Sequence, residues 1–151
     1  MTLEEAVSFA ILLQKNEQLA DAQEIYRRVL ETVPDHPRAL HYAGVLARQQ
    51  GRNAEALALI ERSVALMPDQ ADWYSNLGIV LQSDDRLDHA IDAYRRAIAI
   101  DLSHANAHSN LGVLLRATGQ SLEAEAAYRA AIRLNPEHID AYTIWAFCST
   151  G

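Results

Sequence analysis

One period governs this chain. Ala22, Ala56, Ala90 and Ala124 fall 34 residues apart, and a large residue stands four positions after each: Tyr26, Ile60, Tyr94 and Tyr128. Earlier in each unit a small residue keeps the same period, at Ala10, Gly44, Gly78, Gly112 and Ala146. A bulkier neighbour precedes most of these (Phe9, Leu77, Leu111 and Trp145), with Ala43 the exception. Pro34, Pro68 and Pro136 close their units, and Leu102 stands where the remaining unit would have its proline. A repeat of this length is one supersecondary unit that cannot bury both faces alone, so neighbouring units must stack. The period divides the chain (1–151) into a single array of units 3–36, 37–70, 71–104 and 105–138, with a partial fifth at 139–151.

Within a unit the apolar spacing predicts two amphipathic helices and a tight turn. Tyr74, Leu77, Gly78 and Leu81 lie at i, i+3, i+4 and i+7, and Ala90, Tyr94 and Ala97 repeat the pattern on the second helix. Gly51 and Gly119 sit between the helices, where a left-handed residue ends a helix without a Cβ penalty. Glu17 and Asp85 hold that place in the other two turns, which should be less relaxed. Asp21, Glu55 and Glu123 fall in the first turn of the second helices, where the dipole favours negative charge. The prolines prevent each second helix from continuing. Gly44, Gly78 and Gly112 each cost a helix interior about 1 kcal/mol relative to Ala. Their recurrence predicts a close helix–helix approach, with the periodic alanines at 22, 56, 90 and 124 as its expected partners. The fold class is all-α, built of antiparallel helix pairs.

Composition narrows the function. Half of the 151 residues are hydrophobic and few are Pro or Gly, which excludes a disordered chain. Cys148 is the only cysteine, so a disulfide scaffold is ruled out. A formal charge of −7 argues against binding to a phosphate backbone. No apolar run approaches the roughly 20 residues of a membrane span. The apolar stretch Ala6–Leu13 follows Glu4 and Glu5 where a secretory signal would be basic. A cytoplasmic protein without nucleic-acid or membrane partners is the expectation.

These residues resemble the tetratricopeptide repeat (TPR). The series of a small residue after Leu, then Ala-x-x-x-Tyr, then Pro at a period of 34 covers essentially the whole chain. Units three and four match best, through Asn76-Leu77-Gly78 and Asn110-Leu111-Gly112, and the first departs most. The resemblance implies a right-handed superhelical solenoid whose first helices line a concave groove for peptides or partner proteins. The second, fifth, sixth, ninth, twelfth and thirteenth places of each first helix would face that groove.

On that geometry the sixth place offers Ser8, Tyr42, Asn76 and Asn110, and the ninth offers Ile11, Val45, Ile79 and Val113. The twelfth offers Gln14, Arg48, Gln82 and Arg116, with Arg38, His41 and Lys15 adding positive charge toward the amino-terminal half. Asn is a mediocre helix former, yet it stands twice at one mid-helix position. Its amide can accept from and donate to an extended peptide backbone. Arg48 and Arg116 can fork onto carboxylates. Aliphatic ninth places exclude the carboxylate clamp of chaperone-binding TPR proteins. The candidate binding residues are therefore Asn76, Asn110, Arg48, Arg116, Tyr42 and His41.

Chemistry beyond binding is not indicated. His104 and His108 have the i, i+4 spacing of a metal pair, but His104 shares its repeat position with His36 and His138 in the loop entering a first helix. That repetition points to architecture, and no third ligand stands nearby. No nucleophile–base set, phosphate loop or carboxylate pair emerges, so neither an enzyme nor a cofactor is expected. Base-by-base RNA reading would need a basic, aromatic groove. The partial fifth unit carries Tyr142, Ile144, Trp145 and Phe147 with no second helix to cover them. Either the chain is a fragment of a longer protein, or a second copy covers Tyr142 and Trp145 in an end-to-end homodimer. The best-matching units also resemble, more weakly, the TPR region preceding the catalytic domain of O-GlcNAc-transferase-like proteins. On that alternative the chain would recruit substrates for a glycosyltransferase.

Overall fold

Among the described residues the doubled 3.6-residue pattern gives eight helices, two to a repeat. The computed structural model describes residues 1–137; His138 and the partial fifth unit, with Tyr142, Trp145 and Cys148, lie outside them. The first helices are α1 (Leu3–Lys15), α3 (Pro37–Gln49), α5 (Ala71–Ser83) and α7 (Ala105–Ala117). The second helices are α2 (Leu19–Thr32), α4 (Asn53–Leu66), α6 (Leu87–Ile100) and α8 (Ser121–Leu134). No strand occurs among the described residues. Two compact units result, Met1–Asp69 with α1 to α4 and Gln70–Gly151 with α5 to α8. In the first, α1 packs on α2, α2 on α3, α3 on α4, and α1 also meets α3; in the second, α5, α6, α7 and α8 pack in sequence.

The turns inside the pairs share one chemistry. After α3, the Arg52 N–H donates to the Ala47 carbonyl at 2.8 Å and the Gly51 N–H to that of Arg48 at 2.9 Å. That is the Schellman arrangement, which satisfies two of the helix's orphan carbonyls. It recurs after α1, α5 and α7, through Gln18 to Leu13, Arg86 to Leu81 and Gln120 to Leu115. It needs a left-handed residue, and Gly51 (φ 79°) and Gly119 (φ 83°) supply it as the sequence predicts. Glu17 (φ 63°) and Asp85 (φ 59°) adopt the same conformation despite a Cβ. No second helix has a side-chain cap; Asp21, Glu55, Asp88 and Glu123 occupy their first turns instead.

The interior of each pair is built around the large periodic residue. Tyr26, Ile60, Tyr94 and Tyr128 are all fully buried, as are the alanines four positions before them. A Cβ on Gly78 would lie 2.5 Å from Cε1 of Tyr94, and one on Gly112 2.6 Å from Cε1 of Tyr128. On Gly44 it would meet Cγ1 of Ile60 at 2.6 Å and the Ala56 carbonyl oxygen at 3.2 Å. The expected close approach is present, and its nearest partner is the large periodic residue. The atoms nearest each glycine belong to the tyrosine ring or the isoleucine chain, and at Gly44 the Ala56 carbonyl oxygen follows.

Candidate functional site

The loop histidines position the first helices. His36 caps α3, its Nδ1 accepting from the Ala39 N–H at 3.2 Å, and His104 caps α7 through the Ala107 N–H at 3.1 Å. An accepting Nδ1 leaves the proton on Nε2, so each ring donates from Nε2 to a carboxylate one repeat earlier. His36 reaches Glu4 at 2.8 Å and His104 reaches Asp72 at 2.7 Å. Glu4 also accepts from Arg38 at 2.6 Å, and that bond, aided by His36, holds its carboxyl below the ordinary range. Within each unit these contacts tie the amino end of one first helix to that of the next. His108 donates instead to the Leu102 carbonyl at 3.1 Å. The histidines are architectural, and the described residues contain no cluster of three metal-ligating side chains.

A second device was not anticipated. Gln14 is buried and accepts the Tyr26 hydroxyl at 2.8 Å, and Gln82 accepts that of Tyr94 at 3.0 Å. The Gln14 amide also donates to Gln49 at 2.8 Å. The bonds to Tyr26 and Tyr94 link the end of a first helix to the middle of its second helix, so the twelfth place is partly committed to the interior. The signal was available, since Gln stands 12 residues before Tyr in both units, whereas Arg48 accompanies Ile60.

Unit by unit, the first-helix face is narrower than the resemblance implies. The fifth place is buried throughout, at Val7, His41, Ser75 and Ser109. His41 is only 1% exposed, with Nδ1 3.5 Å from the Ser63 hydroxyl, so its candidacy as a groove residue is corrected. The ring stands edge-on to Tyr42, with centroids 5.0 Å apart. Tyr42 and Arg48 are half-buried on α3 beside the half-buried Val45. In the compact unit of α5 to α8, Asn76 and Asn110 are half-buried, Ile79 and Val113 lie one turn on, and Arg116 is exposed. The Asp72–His104 bond joins α5 and α7 just before the two asparagines, which lie four residues after Asp72 and six after His104.

Clefts open on the second-helix side of each unit. One of about 460 Å³ lies between α2 and α4 over α3, floored by Tyr26, Leu30, Leu46 and Leu59. Its counterpart of about 340 Å³ lies between α6 and α8 over α7, spanned at its rim by Arg95 and Glu123 at 3.1 Å. No described helix is long and apolar enough to cross a membrane.

Helix pairs of this length, with a glycine opposite a buried tyrosine and a Schellman turn, define a class of repeat protein. Two family models of the tetratricopeptide repeat match it, at residues 37–103 and 75–139. The chain belongs to the tetratricopeptide repeat family, whose fold generally serves as a noncatalytic protein-interaction module. No curated protein matches it in sequence. Among solved structures it is similar to MamA, at 27% identity and a TM-score of 0.86, over 94% of this chain and 83% of that one. It is also similar to an O-GlcNAc transferase of Thermobaculum terrenum, at 27% identity and a TM-score of 0.81, over 87% of this chain but 26% of that one. A chain of the APC/C hetero-tetramer Cut9–Hcn1 shares the fold at 17% identity, with a TM-score of 0.90 over 97% of this chain and 30% of the matched one.

Proposed function

We propose that the chain is a noncatalytic module that holds an extended peptide or protein segment along the first-helix face. The observation that carries this is the pair Asn76 and Asn110. They occupy equivalent, half-buried places on α5 and α7, beside the apolar Ile79 and Val113. An amide in this setting can satisfy both polarities of a peptide backbone, while the aliphatic floor takes up side chains. Each such bond contributes about 0.5–1.5 kcal/mol net, so the two give weak, sequence-tolerant holding. Arg116, and on α3 Arg48 with Tyr42, would then favour segments bearing acidic groups.

Selection from a peptide-display library tests this reading, followed by titration of the selected peptides. Asn76→Ala with Asn110→Ala should weaken binding by roughly five- to 150-fold, the equivalent of two hydrogen bonds. Arg48→Ala with Arg116→Ala should remove the enrichment in Asp and Glu. Equal binding by the Asn double variant would move recognition off this face.

The likeness to the Thermobaculum terrenum O-GlcNAc transferase favours a second reading, in which the module recruits substrates for a glycosyltransferase. Sequencing the gene past codon 151 separates the two. A glycosyltransferase domain in frame supports recruitment, and a stop codon rejects it.

A further inference from the structure

The outward side of α1 carries a feature that peptide binding does not use. Phe9 and Leu12 are 46% and 55% exposed. At the corresponding places on α7, Leu111 and Leu114 are 8% and 2% exposed, and Leu46 on α3 is 1% exposed. In those copies the preceding second helix, α2 or α6, packs against the first helix. Among the described residues no helix covers that side of α1, and the two large apolar side chains are exposed beside each other.

The stripe they belong to is self-complementary. Glu5, Phe9, Leu12 and Asn16 follow one another at spacings of four, three and four, reading polar, apolar, apolar, polar. At 100° per residue all four fall within about 60° of one another on the helix. Read backwards, the stripe has the same spacing and the same polarity. A two-fold interface demands a patch that matches its own reversal. Charge agrees, because α1 is acidic at its start and basic at its end, with Glu5 and Lys15 both exposed. Antiparallel pairing sets Lys15 of each copy beside Glu5 of the other and opposes the helix dipoles favourably.

We propose that α1 is a self-association surface on which two copies of this chain meet in an antiparallel, two-fold contact. Phe9 of one copy packs on Leu12 of the other, and Lys15 pairs with Glu5. One helix face per copy places the contact at the small, transient end of interfaces, so it forms at about 10 μM to 1 mM.

Sedimentation equilibrium of the 151-residue chain over that range is the test. The wild type should show a concentration-dependent dimer. Phe9→Asp and Leu12→Asp, both at exposed sites, should each weaken it about tenfold or more, as central apolar anchors do. Lys15→Glu and Glu5→Lys should each weaken it about two- to fivefold, and the double variant should recover wild-type affinity. Circular dichroism of each variant confirms that the helices persist. A monomer at every concentration overturns the proposal. So does a dimer indifferent to Leu12→Asp, which would place the contact elsewhere, for example at Tyr142 and Trp145. Failure of the charge swap to restore binding overturns the antiparallel register.

Discussion

Gly78 and Gly112 show why a residue that weakens a helix recurs in one. An added methyl at either site would lie well inside contact distance of a tyrosine ring that is itself fully buried. Alanine should gain about 1 kcal/mol of helix propensity. Overpacking should cost about 1–3 kcal/mol. Gly78→Ala is therefore expected to lower the urea midpoint, and an unchanged or higher midpoint would show that the Tyr94 ring yields freely. Glu17 and Asp85 present the opposite case. Each holds a left-handed conformation that glycine adopts without strain, and Asp tolerates it better than Glu. Glu17→Gly should stabilise the chain by roughly 0.5–1 kcal/mol, and Asp85→Gly by less, read from the same denaturation curves. The need for a small residue was legible from the period. The ring as its nearest neighbour was not, because a repeat pattern records which positions are constrained and leaves open which side chain lies closest.

At the scale of the element, side chains that act across the chain hold the ends of the first helices, as at α1 and α5. His104 caps α7 and binds Asp72 on α5 with the same ring. Removing it with His104→Ala should cost about 0.5–2 kcal/mol for the lost cap. His104→Asn restores a capping oxygen but not the reach to Asp72, so it should recover most of that loss if the cap dominates. A thermal melt of the three proteins separates the cap from the carboxylate contact. At the other end, Tyr26→Phe leaves the buried Gln14 without one hydrogen bond, which should cost about 1 kcal/mol or more. The helices, their turns and the architectural role of the loop histidines were all legible from periodicity and turn chemistry. The Gln–Tyr links left a signal in the 12-residue spacing of Gln14 from Tyr26 and Gln82 from Tyr94, whereas the burial of the fifth place was not legible. Groove positions were carried over from the family by place number, and a place number cannot tell a side chain turned toward its own second helix from one turned outward. His41 is the plainest instance. A polar residue on an expected binding face proved to be packed beside Ser63.

For the whole molecule, acidity governs how stability responds to pH. Arg27 and Arg28 hold the Glu24 carboxyl down to about 2, and Ser103 lowers that of Asp101 as Arg38 does that of Glu4. A carboxyl depressed by folding binds fewer protons than it would in the unfolded chain. Its contribution is therefore complete above the ordinary value of 4.5 and is lost as pH falls through the folded value. Acid also neutralises the 20 Asp and Glu residues and leaves 13 Lys and Arg, with six His, to repel one another. Burial acts in the other direction on Tyr26, raising its hydroxyl above the ordinary 10.0. Folded Tyr26 keeps a proton that the unfolded chain would release, so its contribution is complete below 10.0 and is lost as pH climbs past it. The melting temperature should therefore hold level in between, fall from pH 4.5 toward 2, and fall again above pH 10. Glu24→Gln should flatten part of the acid limb alone, because general charge repulsion persists in that variant. Tyr26→Phe should lower the plateau while flattening the alkaline limb. Thermal melts followed by circular dichroism across this range provide the check. An acid limb of the same steepness in Glu24→Gln would assign the whole of it to repulsion and none to the Arg27–Glu24–Arg28 cluster.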